Sequence, residues 1–280
     1  MPFGAHRASR PGDPDQAPAL LTERLTRRFD ALVAVDALDL TVPRGAFFGL
    51  LGSNGAGKST AIRMLTTLLP PTCGTARVSG FDILLEPREV RRRIGYVPQM
   101  VSADAGLTGR ENLTLSGRLY GMPRSGRRGR IEQALEFMGL GEVADRLVRT
   151  YSGGMIRRLE IAQAMLHRPP VLFLDEPTVG LDPRARHAVW DRLRELRAQF
   201  GTSVLLTTHD MEEADELCDA IAIMHRGQVV VKGAPGELRA ALGEGASLDD
   251  VFVHHTGGSV EEGGNYREVA RTRATARRLT

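Results

Sequence analysis

The chain has 280 residues, 42% of them hydrophobic, and a formal net charge of +3. That length allows one large domain, or one domain with a subdomain, and the apolar content can build a real core. The small net charge gives no argument for nucleic acid, no run approaches the roughly twenty apolar residues of a membrane span, and Cys73 and Cys218 form no metal or redox motif, which fits a reducing, cytosolic compartment.

Residues 1–18 are rich in Pro, Gly, Ala and Asp, have no apolar core for a signal peptide, and read as a disordered leader. Residues 20–29 and 37–42 show polar alternation and predict strands of an antiparallel edge sheet. Residues 46–51 read as a short buried strand. It runs into Gly52-Ser53-Asn54-Gly55-Ala56-Gly57-Lys58-Ser59, which fits G-x-x-x-x-G-K-[ST]. Residues 60–69, starting at Thr60, then predict a helix with Ile62, Leu65 and Leu68 on one face. The glycines let backbone N–H groups close around phosphate oxygens, and the helix points its positive end at them. Lys58 reaches the β- and γ-phosphates in such a loop, and the Ser59 hydroxyl holds Mg²⁺. Lys58 and Lys232 are the only lysines among 37 Lys and Arg residues. A chain that otherwise uses Arg has Lys where a compact ammonium is wanted.

From about residue 102 to 166 helical patterns dominate, which predicts a helical subdomain inserted in the nucleotide-binding core; one segment starts near Gly109 and another covers 130–138. Residues 171–174 form a continuous apolar run, the mark of a strand buried on both faces. It ends in Asp175-Glu176, at the strand end where α/β proteins place ligand contacts. Asp175 is the candidate for Mg²⁺ and Glu176 for polarising an attacking water. Residues 183–200 predict a helix with Val189, Leu193 and Leu196 at helical spacing. Residues 203–207 are another buried strand leading to His209, and 221–224 with 228–231 suggest a terminal hairpin. Alternating strands and helices give an α/β class with a mostly parallel sheet. Before one of those helices stands Tyr151-Ser152-Gly153-Gly154-Met155. Ser152 is a good N-cap, and the two glycines expose N–H groups, so this is a second anion site. One phosphate loop has no need of it unless another chain supplies the phosphate.

Together these motifs resemble the ATP-binding subunit of an ABC (ATP-binding cassette) transporter, over roughly residues 19–240. The resemblance implies a P-loop NTPase core with an N-terminal antiparallel β-subdomain and an inserted α-helical subdomain. Residues 52–59 match Walker A, Leu172–Asp175 with Glu176 matches Walker B and its glutamate, and Tyr151–Met155 matches the signature loop, usually Leu-Ser-Gly-Gly-Gln. Gln99 matches the Q-loop glutamine at Mg²⁺, Leu181-Asp182 the D-loop, His209 the switch histidine at γ-phosphate, and Phe29 the aromatic stacked on adenine. Residues 153–159, 207–214 and 248–252 are similar to the daunorubicin/doxorubicin-resistance type of drug-exporter ATPase, with a shortened C-terminal segment at 241–258 and a basic, disordered tail at 259–280. The resemblance implies ATP and Mg²⁺ as ligands, a head-to-tail homodimer, a separate transmembrane permease, a place on the cytoplasmic face of the membrane, no nucleic acid, and export of a drug-like substrate. A soluble ABC ATPase of ribosome or DNA and an importer ATPase are the competing expectations.

Overall fold

The computed structural model describes residues 17–257, so the expectations for the leader, apart from its last two residues, and for the basic tail lie outside the described residues. In chain order, β1 (Leu20–Phe29), β2 (Leu32–Leu38) and β3 (Thr41–Val42) begin one sheet, and β4 (Phe47–Leu51) leads through a loop to α1 (Lys58–Leu65). β5 (Cys73–Val78) and β6 (Phe81–Asp82) return to the first sheet, and α2 (Pro87–Arg92) leads to β7 (Ile94–Val97). Three helices follow with no strand between them: α3 (Gly109–Leu119), α4 (Arg124–Phe137) and α5 (Gly153–Met165). Then come β8 (Val171–Asp175), α6 (Pro183–Phe200), β9 (Ser203–Thr208), α7 (Met211–Leu217), β10 (Ala220–His225), β11 (Gln228–Gly233), α8 (Pro235–Leu242) and α9 (Leu248–Thr256).

The first sheet is antiparallel, in the order β2-β1-β5-β6 with β3 also on β1. The second runs β11-β10-β4-β9-β8-β7 and is parallel except for the β10–β11 pair. Its central strands explain the layering. Phe47 and Leu51 face one core, while Phe48 and Leu50 face the other. Leu172 and Leu174 share the first core, and Val171 and Phe173 the second. Successive side chains of a strand point to opposite faces, so an unbroken apolar run must be covered on both. One cover is the antiparallel sheet with α1, whose Ala61, Ile62, Met64 and Leu65 are buried there. The other is helical, with Leu159 of α5 and Val189, Trp190 and Leu193 of α6.

The structure departs from the sequence reading at several elements. The strand expected over 37–42 is two strands, the end of β2 and β3, with Asp39 and Leu40 between them outside either. The first helix stops at Leu65, since Thr67 turns left-handed at φ 62°, and Leu68 is 62% exposed rather than on the core face. The helix expected over 130–138 starts at Arg124 but is broken at Ser125 and Gly126. β5 and β7 have no counterpart in the sequence reading. β7 needs its glycine: a Cβ at Gly95 would lie 2.5 Å from the Ala164 carbonyl oxygen of α5.

His167, just past α5, stacks on Tyr120 at 3.8 Å between ring centroids, and its Nε2 lies 3.1 Å from the Ile94 carbonyl oxygen. Burial holds its pKa down to about 4, against an ordinary 6.5. The folded chain therefore keeps this imidazole neutral, while the unfolded chain takes up the proton first as pH falls. Its contribution is fully present above about pH 7 and is lost as pH falls toward 4, worth about 2 kcal/mol by pH 5. Urea midpoints at pH 7 and pH 5 check this: His167→Gln is expected to remove that part of the acid-side loss, and an unchanged slope refutes it.

Candidate functional site

The carboxyl ends of β4, β8 and β9 lie side by side, with Leu51 opposite Thr208 and Asp175 opposite Thr207. Each strand delivers one part of the site. β4 ends at Gly52, where a Cβ would sit 2.6 Å from the Met224 carbonyl oxygen, so the chain can pass only without a side chain. The loop closes at Gly57, with φ 107° and the Ala34 carbonyl oxygen 2.3 Å from where a Cβ would be. Positive φ and close backbone contact both require glycine there. α1 begins immediately after, and the first N–H groups of a helix have no intrahelical partner, so they face the loop as anion donors.

Lys58 is 3% exposed and folds back into this loop. Its Nζ donates to the carbonyls of Gly52 at 2.7 Å and Ser53 at 3.1 Å, and pairs with Glu176 Oε1 at 3.3 Å. Burial pulls the Lys58 pKa down, and the charges of Glu176 and Asp175 oppose that pull. Glu176 follows β8 in a left-handed conformation, φ 49°. Its N–H donates to the Thr207 hydroxyl at 3.0 Å, which fixes the turn. The other carboxylate oxygen lies 3.1 Å from His209 Nδ1. That bond, with Lys58 adding to it, holds the Glu176 carboxyl below its ordinary range and raises the pKa of His209. Asp175 Oδ1 accepts from the hydroxyls of Thr207 at 2.6 Å and Ser59 at 3.0 Å.

Lys58, Ser59, Asp175, Glu176 and His209, drawn from positions 58 to 209, thus form one bonded cluster. Ser59 and Asp175 are hard oxygen donors in contact, which suits Mg²⁺. Among the described residues no group of three or more His, Cys, Asp or Glu could hold a metal. Such an ion would rest largely on phosphate oxygens and water, the usual manner of Mg²⁺.

Gln99 lies two residues beyond β7, which pairs with β8, so it borders the same strand ends. It is exposed, and its backbone carbonyl is held by Arg157 Nη2 at 3.1 Å. Phe29 is 40% exposed, with the Arg27 guanidinium 4.5 Å from its ring centroid, so it is not a core residue. Ser152 caps α5, accepting from the Met155 N–H at 3.3 Å. It and Gly153 are exposed, and the two glycines pack on Leu181 and Ala185 rather than on the phosphate loop. Thr207, Arg157 and Glu213 were not singled out from sequence. Thr207 carries a faint signal, a polar residue at the end of a buried apolar strand.

The arrangement defines a P-loop ATPase, with the Ser152–Gly153 start of α5 exposed apart from the phosphate loop. The family model described as ABC transporter matches residues 35–179, and the chain belongs to that family. It is 52% identical over 225 residues to the daunorubicin/doxorubicin resistance ATP-binding protein DrrA of Streptomyces peucetius, covering 80% of this chain and 68% of that one. It is 46% identical over 221 residues to the Nod factor export ATP-binding protein I of Ralstonia nicotianae, covering 79% and 68%. Among solved structures, an ATP-binding subunit of an ABC transporter superposes with a TM-score of 0.75 at 33% identity, over 84% of this chain and 98% of that one. A dimeric post-hydrolysis ATP-binding cassette bound to ADP and Pi gives 0.69 at 26% identity, over 77% and 98%. As a member of this family the chain binds and hydrolyses ATP.

Proposed function

We propose that this chain is the ATP-hydrolysing subunit of an exporter that drives a drug-like or secondary-metabolite substrate through a separate membrane permease. The observation that carries the ATPase half is the single cluster of Lys58, Ser59, Asp175, Glu176 and His209. The export half is supported by the similarity to resistance and export ATP-binding proteins. Residues 52–60 bind the phosphates through backbone N–H groups and Lys58, and Phe29 stacks on the base. Mg²⁺ held by Ser59 and Asp175, with Gln99 beside them, would supply charge neutralisation on the phosphate oxygens. Glu176 orients water for in-line attack on the γ-phosphate, and His209 with Lys58 offsets the charge that develops.

Lys58 and His209 both hold Glu176. The γ-phosphate competes for the same two cations, so its arrival frees the carboxylate for water. A second copy, head to tail, closes the site with its own Ser152, Gly153 and Gly154. That assembly is supported by the exposed start of α5 and by the dimeric solved relative. Among the described residues no helix is long and apolar enough to cross a membrane; the similarity to ATP-binding subunits of transporters supports a separate permease that holds this chain at the cytoplasmic face. The test is isolation of the tagged chain from membranes, followed by everted vesicles carrying it with its co-purified transmembrane protein. ATP-dependent accumulation of an anthracycline such as doxorubicin is the expected result. Co-purification of ribosomes or DNA, with no membrane protein, overturns this reading.

A further inference from the structure

Glu213, in α7, is 1% exposed and has no part in the mechanism above. Its Oε1 accepts from the Thr178 hydroxyl at 2.7 Å and from the Trp190 indole nitrogen at 3.0 Å. Each donor belongs to a different element. Thr178 is two residues past Glu176, on the segment that runs to Asp182, the N-cap of α6. Glu213 itself is tied to the residue after His209, its N–H donating to Asp210 Oδ1 at 3.3 Å. Trp190 lies inside α6 and is 1% exposed.

Both donors are neutral, and burial pushes the Glu213 carboxyl above its ordinary range. A buried carboxyl without a paired cation is costly, and an apolar side chain of similar volume fills such a space at less cost. Stability is thus a poor reason for a glutamate here. Its placement is a better one. Glu176 sits in a left-handed turn, a conformation that persists only where the surroundings over-determine it. Thr207 fixes the turn at Glu176 itself, and Glu213 fixes it two residues on, through Thr178.

We propose that Glu213 is a positioning residue for ATP hydrolysis: its carboxyl clamps the segment after Glu176 to the start of α7, directly after His209, so that those two side chains meet. The proposal rests on the roles given above to Glu176 and His209. The clamp has a second consequence. Leu181, on the clamped segment, forms the wall 3.3 Å from the Cβ position of Gly153, and Ala185 the wall 2.8 Å from that of Gly154. The carboxyl therefore also fixes the seat of the anion site that faces the other copy. One buried group sets both the chain's own water-activating pair and the surface it offers its neighbour.

The test uses Thr178→Val, Glu213→Gln and Glu213→Ala in the full chain, with steady-state phosphate release, thermal midpoints and the emission of Trp190, the only tryptophan. Thr178→Val cuts one strut and leaves the indole bonded. Its kcat is expected to fall by about tenfold or more, as small misplacements of reacting groups do. Its KM for ATP stays within about threefold, the signature of an interaction that acts in the transition state, and its Trp190 emission is unchanged. Glu213→Gln keeps a carbonyl acceptor for the Thr178 hydroxyl and the indole, so it retains most of kcat. Glu213→Ala loses kcat as Thr178→Val does and shifts the Trp190 emission; Thr178→Val decides the matter if Glu213→Ala fails to fold. Wild-type kcat in Thr178→Val overturns the proposal. So does an equal loss in Glu213→Gln, which assigns the effect to the proton or charge rather than to the clamp. Absence of phosphate release by the wild-type chain instead refutes the hydrolytic reading, and the emission data then still report whether Glu213 holds Trp190.

Discussion

Glu176→Gln is expected to bind Mg-ATP, to lose about a hundredfold or more of its hydrolysis, the range set by general-base catalysis, and to accumulate as a dimer. The amide keeps the shape of the side chain and an oxygen facing Lys58, so the loop and its contacts remain. It removes the carboxylate placed to take a proton from the attacking water. His209 at 3.1 Å and Lys58 at 3.3 Å hold the Glu176 carboxyl below its ordinary range. ATP that cannot be cleaved stays between the phosphate loop of one copy and Ser152, Gly153 and Gly154 of the other, and the two copies stay closed. Size-exclusion chromatography with light scattering, with and without Mg-ATP, reads the dimer, and phosphate release reads the chemistry. A monomer at saturating ATP refutes the shared site. Normal turnover refutes the role of Glu176.

The parts of this site that were legible from sequence are those encoded locally. The phosphate loop is contiguous, and Gly52 and Gly57 are there because the Met224 and Ala34 carbonyls leave no room for a Cβ. β4, β8 and β9 show as unbroken apolar runs because both their faces are covered. α6 shows through Val189, Leu193 and Leu196 on one face, while its cap by Asp182 emerged only in the structure. What the sequence hid was tertiary. β5 exposes four of its six residues and so carries little apolar pattern. Leu68 obeys the helical period but falls beyond Thr67, whose left-handed turn no period announces. Arg157 is one arginine among many until burial and its bonds to the Pro98 and Gln99 carbonyls set it apart. Thr207 and Glu213 act only through partners more than twenty residues away in the chain.

Lys58→Arg is expected to fail almost as completely as Lys58→Ala, with no detectable hydrolysis in either and nucleotide binding strongly weakened in Lys58→Ala. A surface lysine would tolerate the exchange, since both side chains are cations. This one has no room for a planar fork. Its ammonium is 3% exposed, fitted against the Gly52 and Ser53 carbonyls and the Glu176 carboxylate. A guanidinium is larger, rigid and delocalised, and it cannot place one compact charge between two phosphates in a loop shaped for an ammonium. Lys58→Ala adds a second loss. Removing one partner of a buried ion pair leaves the other uncompensated, at a cost of about 3–5 kcal/mol where nothing else answers it. Here His209 still faces Glu176, so the alanine variant is expected to fold and to fail in binding. The measurement is phosphate release and nucleotide affinity for both variants, with thermal midpoints to confirm that each is folded. Wild-type-like turnover by Lys58→Arg would show that the loop does not grip the β- and γ-phosphates through this ammonium, and the mechanism built on it would fall.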